Sequence, residues 1–145
     1  MLEIRKMQME DLDEVAEVEK SIFSQPWSKK GFADAIGQEA ALYLTARVNG
    51  RLAGYCGLLQ SLDEADITNV AVAEVFRNQG VASAMLNELI RCGQERGILN
   101  FTLEVRAKNA AALHLYEKLG FVSVGIRPGF YEKPREDAVI MWKYS

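Results

Sequence analysis

Arg77-Asn78-Gln79-Gly80-Val81-Ala82 lies between a β-rich run and a long helical stripe. A chain entering a helix there aims several free backbone N–H groups at one point, and the helix dipole adds positive potential, so the segment suits an anion. Gly80 has no side chain to hold a phosphate away. There is no Gly-Lys-Ser/Thr and only one glycine instead of three, so the nucleoside-triphosphate and dinucleotide fingerprints do not fit. Further on stand Glu104, in a strand-like run, and Asn109 and Tyr116, seven residues apart. On a helix that spacing is two turns, roughly 10 Å along one side, so an elongated ligand can touch both. Each residue also has an ordinary structural role. Gly80 suits a strand-to-helix turn, Asn109 a helix cap, Tyr116 a core ring beside Ala112 and Leu119, and Glu104 a solvated strand.

The elements that must position these residues are readable from periodicity. Residues 2–6 form a short strand pattern, and residues 10–23 place Leu12, Val15, Ala16, Glu19, Ile22 and Phe23 at helical spacing, with Glu19 the one break in an apolar stripe. Ser28 stands as the cap of a second short helix that Gly37 closes. Ala41–Val48 and Leu52–Gln60 flank Asn49-Gly50, a strong hairpin signal. A β-rich run over 66–73 leads through the anion-binding segment into a helix over 81–96. Phe101, Leu103 and Val105 then alternate with Thr102, Glu104 and Arg106, which sets Glu104 opposite the aliphatic face. A helix follows, capped by Asn109 and ended by Gly120. Phe121–Arg127 and Ala138–Tyr144 complete the sheet as a hairpin around a loop containing Pro and Gly. The expected fold is α/β, a single domain with a mixed sheet of about seven strands and about four helices.

Composition narrows the function. With 145 residues, 49% hydrophobic and 26% charged, the chain reads as one ordinary globular domain. Seventeen basic against twenty acidic residues give a net charge of −3, the wrong sign for a protein whose main partner is nucleic acid, while a basic polypeptide is allowed. No apolar run approaches the ~18 residues that span a bilayer, and the acidic start lacks the features of a secretion or transit signal, so no membrane partner and a cytoplasmic location are expected. Cys56, Cys92 and the lone His114 form no metal-binding spacing, so no metal is expected and the cysteines read as reduced, packed thiols.

Taken together, Val70-Ala71-Val72, Arg77-x-x-Gly80-x-Ala82, Leu103-Glu104-Val105-Arg106 and Asn109-x-x-Ala112-x-x-Leu115-Tyr116-x-x-Leu119-Gly120-Phe121 resemble the GNAT acetyltransferase superfamily. Pro26-Trp27-Ser28 with Phe32, and Glu136-Asp137-Ala138-x-x-Met141, resemble its bacterial RimI type, which acetylates the amino-terminal alanine of a small-subunit ribosomal protein. The resemblance implies splayed central parallel strands, and acetyl-CoA held by backbone at Val70, Ala71 and Val72, by the Arg77, Asn78, Gln79, Gly80, Val81 and Ala82 loop and by Asn109. It implies Glu104 as general base and Tyr116 as general acid, with no metal. Trp27, Ser28, Phe130 and Tyr131 would shape the acceptor groove, between a Pro26–Ser28 loop and a Phe130–Arg135 loop. The paired tyrosines of that second loop stand here as Phe130-Tyr131, a departure that touches a peptide-contacting hydroxyl. Basicity bears on the acceptor. A free α-amine (pKa ≈ 7.7–8.0) is roughly a quarter neutral near pH 7.5, a lysine (≈ 10.4) about one part in a thousand, so one modest base suits an amino terminus. A lysine or small-molecule amine acetyltransferase, or a non-catalytic acetyl-CoA-binding module, are the alternatives.

Overall fold

The computed structural model describes residues 1–144. In chain order the elements are β1 (Leu2–Lys6), α1 (Leu12–Ile22), α2 (Lys29–Ile36), β2 (Ala41–Val48), β3 (Arg51–Ser61), β4 (Glu64–Val72), α3 (Val81–Glu95), β5 (Asn100–Arg106), α4 (Ala110–Lys118), β6 (Val122–Glu132) and β7 (Arg135–Tyr144). The sheet order is β1-β2-β3-β4-β5-β7-β6, antiparallel except between β4 and β5. The caps sit where residue type requires them. Ser28 Oγ accepts from Gly31 N–H and Asn109 Oδ1 from Ala112 N–H, both at 3.1 Å. Among the described residues no helix is long and apolar enough to cross a membrane.

β4 and β5 pair over three rungs only, Glu64↔Asn100 to Asp66↔Thr102. Beyond that point β3 keeps hold of β4 as far as Val72, and β7 keeps hold of β5 as far as Arg106. The two parallel strands therefore part. A bulge contributes: the β3–β4 register passes from Gly57↔Asn69 to Leu58↔Ile67, leaving Thr68 as an extra residue that bends β4. The alternation along β5 holds as expected, with Phe101, Leu103 and Val105 buried in the core beneath α3. A second core under α1 and α2 gathers Leu12, Val15, Phe32, Tyr43 and Tyr55.

The final hairpin differs from its expectation. Its strands reach Glu132 and Arg135, so Phe130 and Tyr131 ride on β6 and not on a loop. Pro128-Gly129 is absorbed as an irregularity between Arg127 and Tyr131, where Gly129 takes φ 60° and its N–H donates to Asp137 Oδ1 at 2.8 Å. Pairing then resumes at Tyr131↔Glu136. A proline and glycine that read as loop are compatible with a strand that tolerates a bulge.

Candidate active site

Where β4 and β5 part, a cavity of about 510 Å³ opens. Residues 67–70 of β4 form one wall, and residues 103–106 of β5 with Asn109, Ala112 and Tyr116 form the other. The end of α1 and the segment through Trp27 close one side, and Tyr131, Lys133 and Pro134 face them. Ser24 Oγ donates to the Lys133 carbonyl at 2.5 Å, tying the segment after α1 to the β6–β7 turn.

Glu104 lies on the face of β5 opposite the α3 core, opposite Ile140 of β7. Its Oε2 is shielded from water and accepts no hydrogen bond, with Arg127 Nη1 at 3.5 Å as its ion-pair partner. Tyr116 is the buried residue of α4 and packs edge-to-face on Phe121, with ring centroids 5.9 Å apart. Burial, then the neighbouring Cys56 and Tyr131, push its phenol well above the ordinary tyrosine range, so it stays protonated at neutral pH. The cavity thus has a carboxyl group and a buried phenol hydroxyl in its walls. Asn109 also lines it, with Oδ1 committed to the α4 cap.

The amino end of α3 is built from backbone. Asn78 and Gly80 adopt left-handed φ of 62° and 79°, and no side chain caps the helix. A Cβ at Gly80 would meet no atom within 4 Å. Arg77 Nε turns back to donate to the Val72 carbonyl and Gln79 Nε2 to the Val75 carbonyl, both at 3.1 Å. Val81 is buried in the core and Ala82 half-buried, so the group presented outward is the peptide itself. Uncapped donors at a 15-residue helix fit a pyrophosphate. Val70 lines the cavity, whereas Ala71, Val72 and residues 77–82 lie outside its lining. Ala71 does not fit the cofactor role expected of it: its side chain is buried in the α1/α2 core and its backbone, opposite Tyr55, is turned toward β3, in step with the Ala73 N–H that donates to the Ala53 carbonyl, which leaves the open edge of β4 to Val70 and Val72.

The residues expected to shape an acceptor groove divide similarly. Trp27 and Tyr131 line the cavity; Ser28 and Phe130 do not. Ser28 is spent as the α2 cap, and Phe130 is exposed under the Arg127 guanidinium, 5.1 Å from its ring centroid. Arg106 lies 4.2 Å over the Tyr131 ring, and burial, then Glu104, raise that phenol's pKa. Glu136, read only as part of a signature, accepts from Lys108 N–H at 2.7 Å and from Arg106 Nη1 at 3.3 Å, fastening the β5–α4 link to the hairpin.

Two groupings escape the sequence reading. Tyr43 Oη, Thr68 Oγ1 and Asn69 Oδ1 lie 2.8–2.9 Å from one another at the β4 bulge, and only tertiary contact brings Tyr43 there. Glu19, the break in the α1 stripe, is buried and lines the cavity. Its irregular position was the available signal.

A mixed seven-stranded sheet splayed at its parallel pair, with an uncapped helix amino end beside the split, defines an α/β fold whose cleft suits an elongated ligand with an anionic end. The model of the Acetyltransferase (GNAT) family matches residues 12–121, and the chain belongs to that family as an N-acetyltransferase. It is 39% identical over 140 residues to the [ribosomal protein bS18]-alanine N-acetyltransferase of Escherichia coli K12, covering 95% of this chain and 94% of that one. The crystal structure of the ribosomal-protein-S18-alanine N-acetyltransferase from Escherichia coli superposes with TM-score 0.91 at 38% identity, covering 99% of this chain and 94% of that chain. Arabidopsis thaliana NAA60, solved in complex with acetyl-CoA, shares the fold at TM-score 0.89 and 20% identity, covering 99% and 98% of the two chains.

Proposed function

We propose that the chain transfers the acetyl group of acetyl-CoA to the amino-terminal α-amine of a protein, the acceptor being the alanine that begins ribosomal protein bS18. The observation that carries this reading is the near full-length identity of 39% with the Escherichia coli enzyme of that name. The cleft supports it chemically. Glu104, through water, takes a proton from the acceptor ammonium, and the freed amine adds to the thioester carbon. The C–S bond then breaks as Tyr116 gives its proton to the leaving sulfur, the second proton of the acylated nitrogen passes through water to the phenolate to restore it, and Glu104 releases the proton it took to solvent. Direct transfer needs no protein nucleophile. Burial pushes both Cys56 and the less enclosed Cys92 above the ordinary thiol range, which suits them to packing and not to attack. The backbone at 77–82, the free edge at Val70 and Val72 and Asn109 would hold the coenzyme, and Trp27, Ser28, Phe130 and Tyr131 the acceptor.

The test is acetylation of a bS18 amino-terminal peptide, with mass spectrometry to locate the label. The α-amine alone should be modified, and a peptide blocked at that amine should remain unmodified. Equal labelling of lysines in the blocked peptide would replace this acceptor with a side-chain amine.

A further inference from the structure

Glu19 is a buried carboxylate, 3% exposed, in the wall of the acceptor cleft. Its Oε1 accepts from Tyr55 Oη at 2.5 Å and its Oε2 from the Trp27 N–H at 3.0 Å. Both donors are neutral, and none of the ion pairs among the described residues includes Glu19. Asp11 gives the contrast within the same fold. Its side chain is 1% exposed, and it is met by two guanidinium groups, Arg47 at 2.9 Å and Arg5 at 3.2 Å. An uncompensated buried charge is costly, so one kept beside a cleft needs a reason. Holding Trp27 and Tyr55 does not supply it, because a neutral acceptor would serve. Tyr43 Oη, close by, donates to the neutral Asn69 Oδ1.

The cations around the cleft are committed elsewhere or peripheral. Arg106 is taken by Glu136 and by the carbonyls of Lys133 and Pro134, Arg127 pairs with Glu104, and the Lys133 side chain is exposed at the rim. The countercharge can therefore arrive with the ligand. We propose that Glu19 determines acceptor specificity by pairing with the protonated α-amine of the incoming chain, drawing the ammonium into the cleft before Glu104 removes its proton. This rests on the α-amine acceptor proposed above. The division of labour is electrostatic: Glu19 selects the charged form that dominates near neutral pH, and Glu104 converts it to the reactive one.

The experiment uses the whole protein saturated with coenzyme A and two probes. One is a bS18 amino-terminal peptide. The other is its desamino analogue, in which a propionyl group replaces the first alanine. By calorimetry at pH 6.5, where an α-amine is mostly protonated, the wild-type protein should bind the amine peptide at least about tenfold more tightly. Glu19→Gln keeps the size and an acceptor for Trp27 but loses the charge, and should shrink the preference below about threefold. Glu19→Asp keeps the charge and should retain most of it. A wild-type preference that survives intact in Glu19→Gln overturns the role of Glu19 while leaving the acceptor reading in place. Wild-type protein that binds both probes equally, or neither, also overturns the pairing with Glu19, while the α-amine reading stands or falls separately on where mass spectrometry places the acetyl group. Proton exchange needs no variant. At pH 8 a free α-amine is about half protonated, so binding it as ammonium takes up roughly half a proton per peptide, and net release overturns the proposal.

Discussion

At Glu104 and Tyr116 a single atom distinguishes chemistry from packing. Glu104→Gln keeps shape but removes basicity, so turnover at pH 7 should fall by roughly 10²–10⁴-fold with acetyl-CoA affinity near normal. Activity should return partly at higher pH, as the acceptor amine loses its proton unaided; steady-state kinetics across pH check this. Tyr116→Phe preserves the ring that meets Phe121. If the hydroxyl serves only packing, kcat and melting temperature should both barely move. If it protonates the leaving sulfur, kcat should drop about 10–10³-fold while the melting temperature holds, because a thiolate leaves moderately well without help. The placement of both was legible, strand alternation putting Glu104 on the polar face and helical spacing putting Tyr116 two turns from Asn109, whereas type and spacing alone left each with an ordinary structural role and only the family resemblance implied a base and an acid. The Arg127 beside Glu104 was not legible, because the contact joins β5 to β6 across an intervening β7. Glu19 was visible as an irregularity without a meaning, since its partners Tyr55 and Trp27 belong to other parts of the chain.

Among the elements, the α3 amino end carries the sharpest forecast. Gly80 at φ 79° strains any other residue, at a cost of roughly 1–2 kcal/mol, but its open surroundings mean that nothing else in the fold resists a side chain. Gly80→Trp should therefore remain folded with a modestly lower melting temperature and lose acetyl-CoA binding by calorimetry, while Gly80→Ala shows the same strain with a smaller loss of affinity. Unchanged affinity in a folded Trp variant would move the coenzyme's phosphates elsewhere. Strand–turn–helix order and both caps were readable because each depends on neighbours in sequence. How far two strands stay paired depends on a bulge at Thr68 and on the competing grips of β3 and β7, which periodicity does not encode. For a similar reason the last hairpin read too short. Pro128-Gly129 signals a turn locally, but the Asp137 carboxylate stabilises a bulge there instead.

For the molecule as a whole, the ion cluster that Arg47 and the more exposed Arg5 and Glu14 form around buried Asp11 joins the start of α1 to β1 and β2. Burial opposes the charge on Asp11, yet the Gln8 N–H, the Arg47 guanidinium and Arg5 outweigh it and hold its carboxyl below the ordinary value. A depressed folded-state pKa adds stability that is present above the unfolded-state value and is lost as pH falls through the folded one. Asp11→Asn should cost about 1–3 kcal/mol at pH 7 by urea unfolding, and its deficit relative to the wild type should begin to shrink below about pH 4, where the unfolded carboxylate protonates, and close as pH falls through the lower native value. A deficit of the same size at pH 7 and pH 3 would mean that shape, and not charge, is what Asp11 contributes. The three rungs between β4 and β5 also have a consequence for isotope exchange. From Asn69 to Val72 a strand aims its amides alternately at β3 and at the open edge. In heavy water this stretch should show a two-residue rhythm, with slow deuteration where an amide meets β3 and deuteration orders of magnitude faster at its neighbour. Adding acetyl-CoA should slow the fast set and flatten the rhythm.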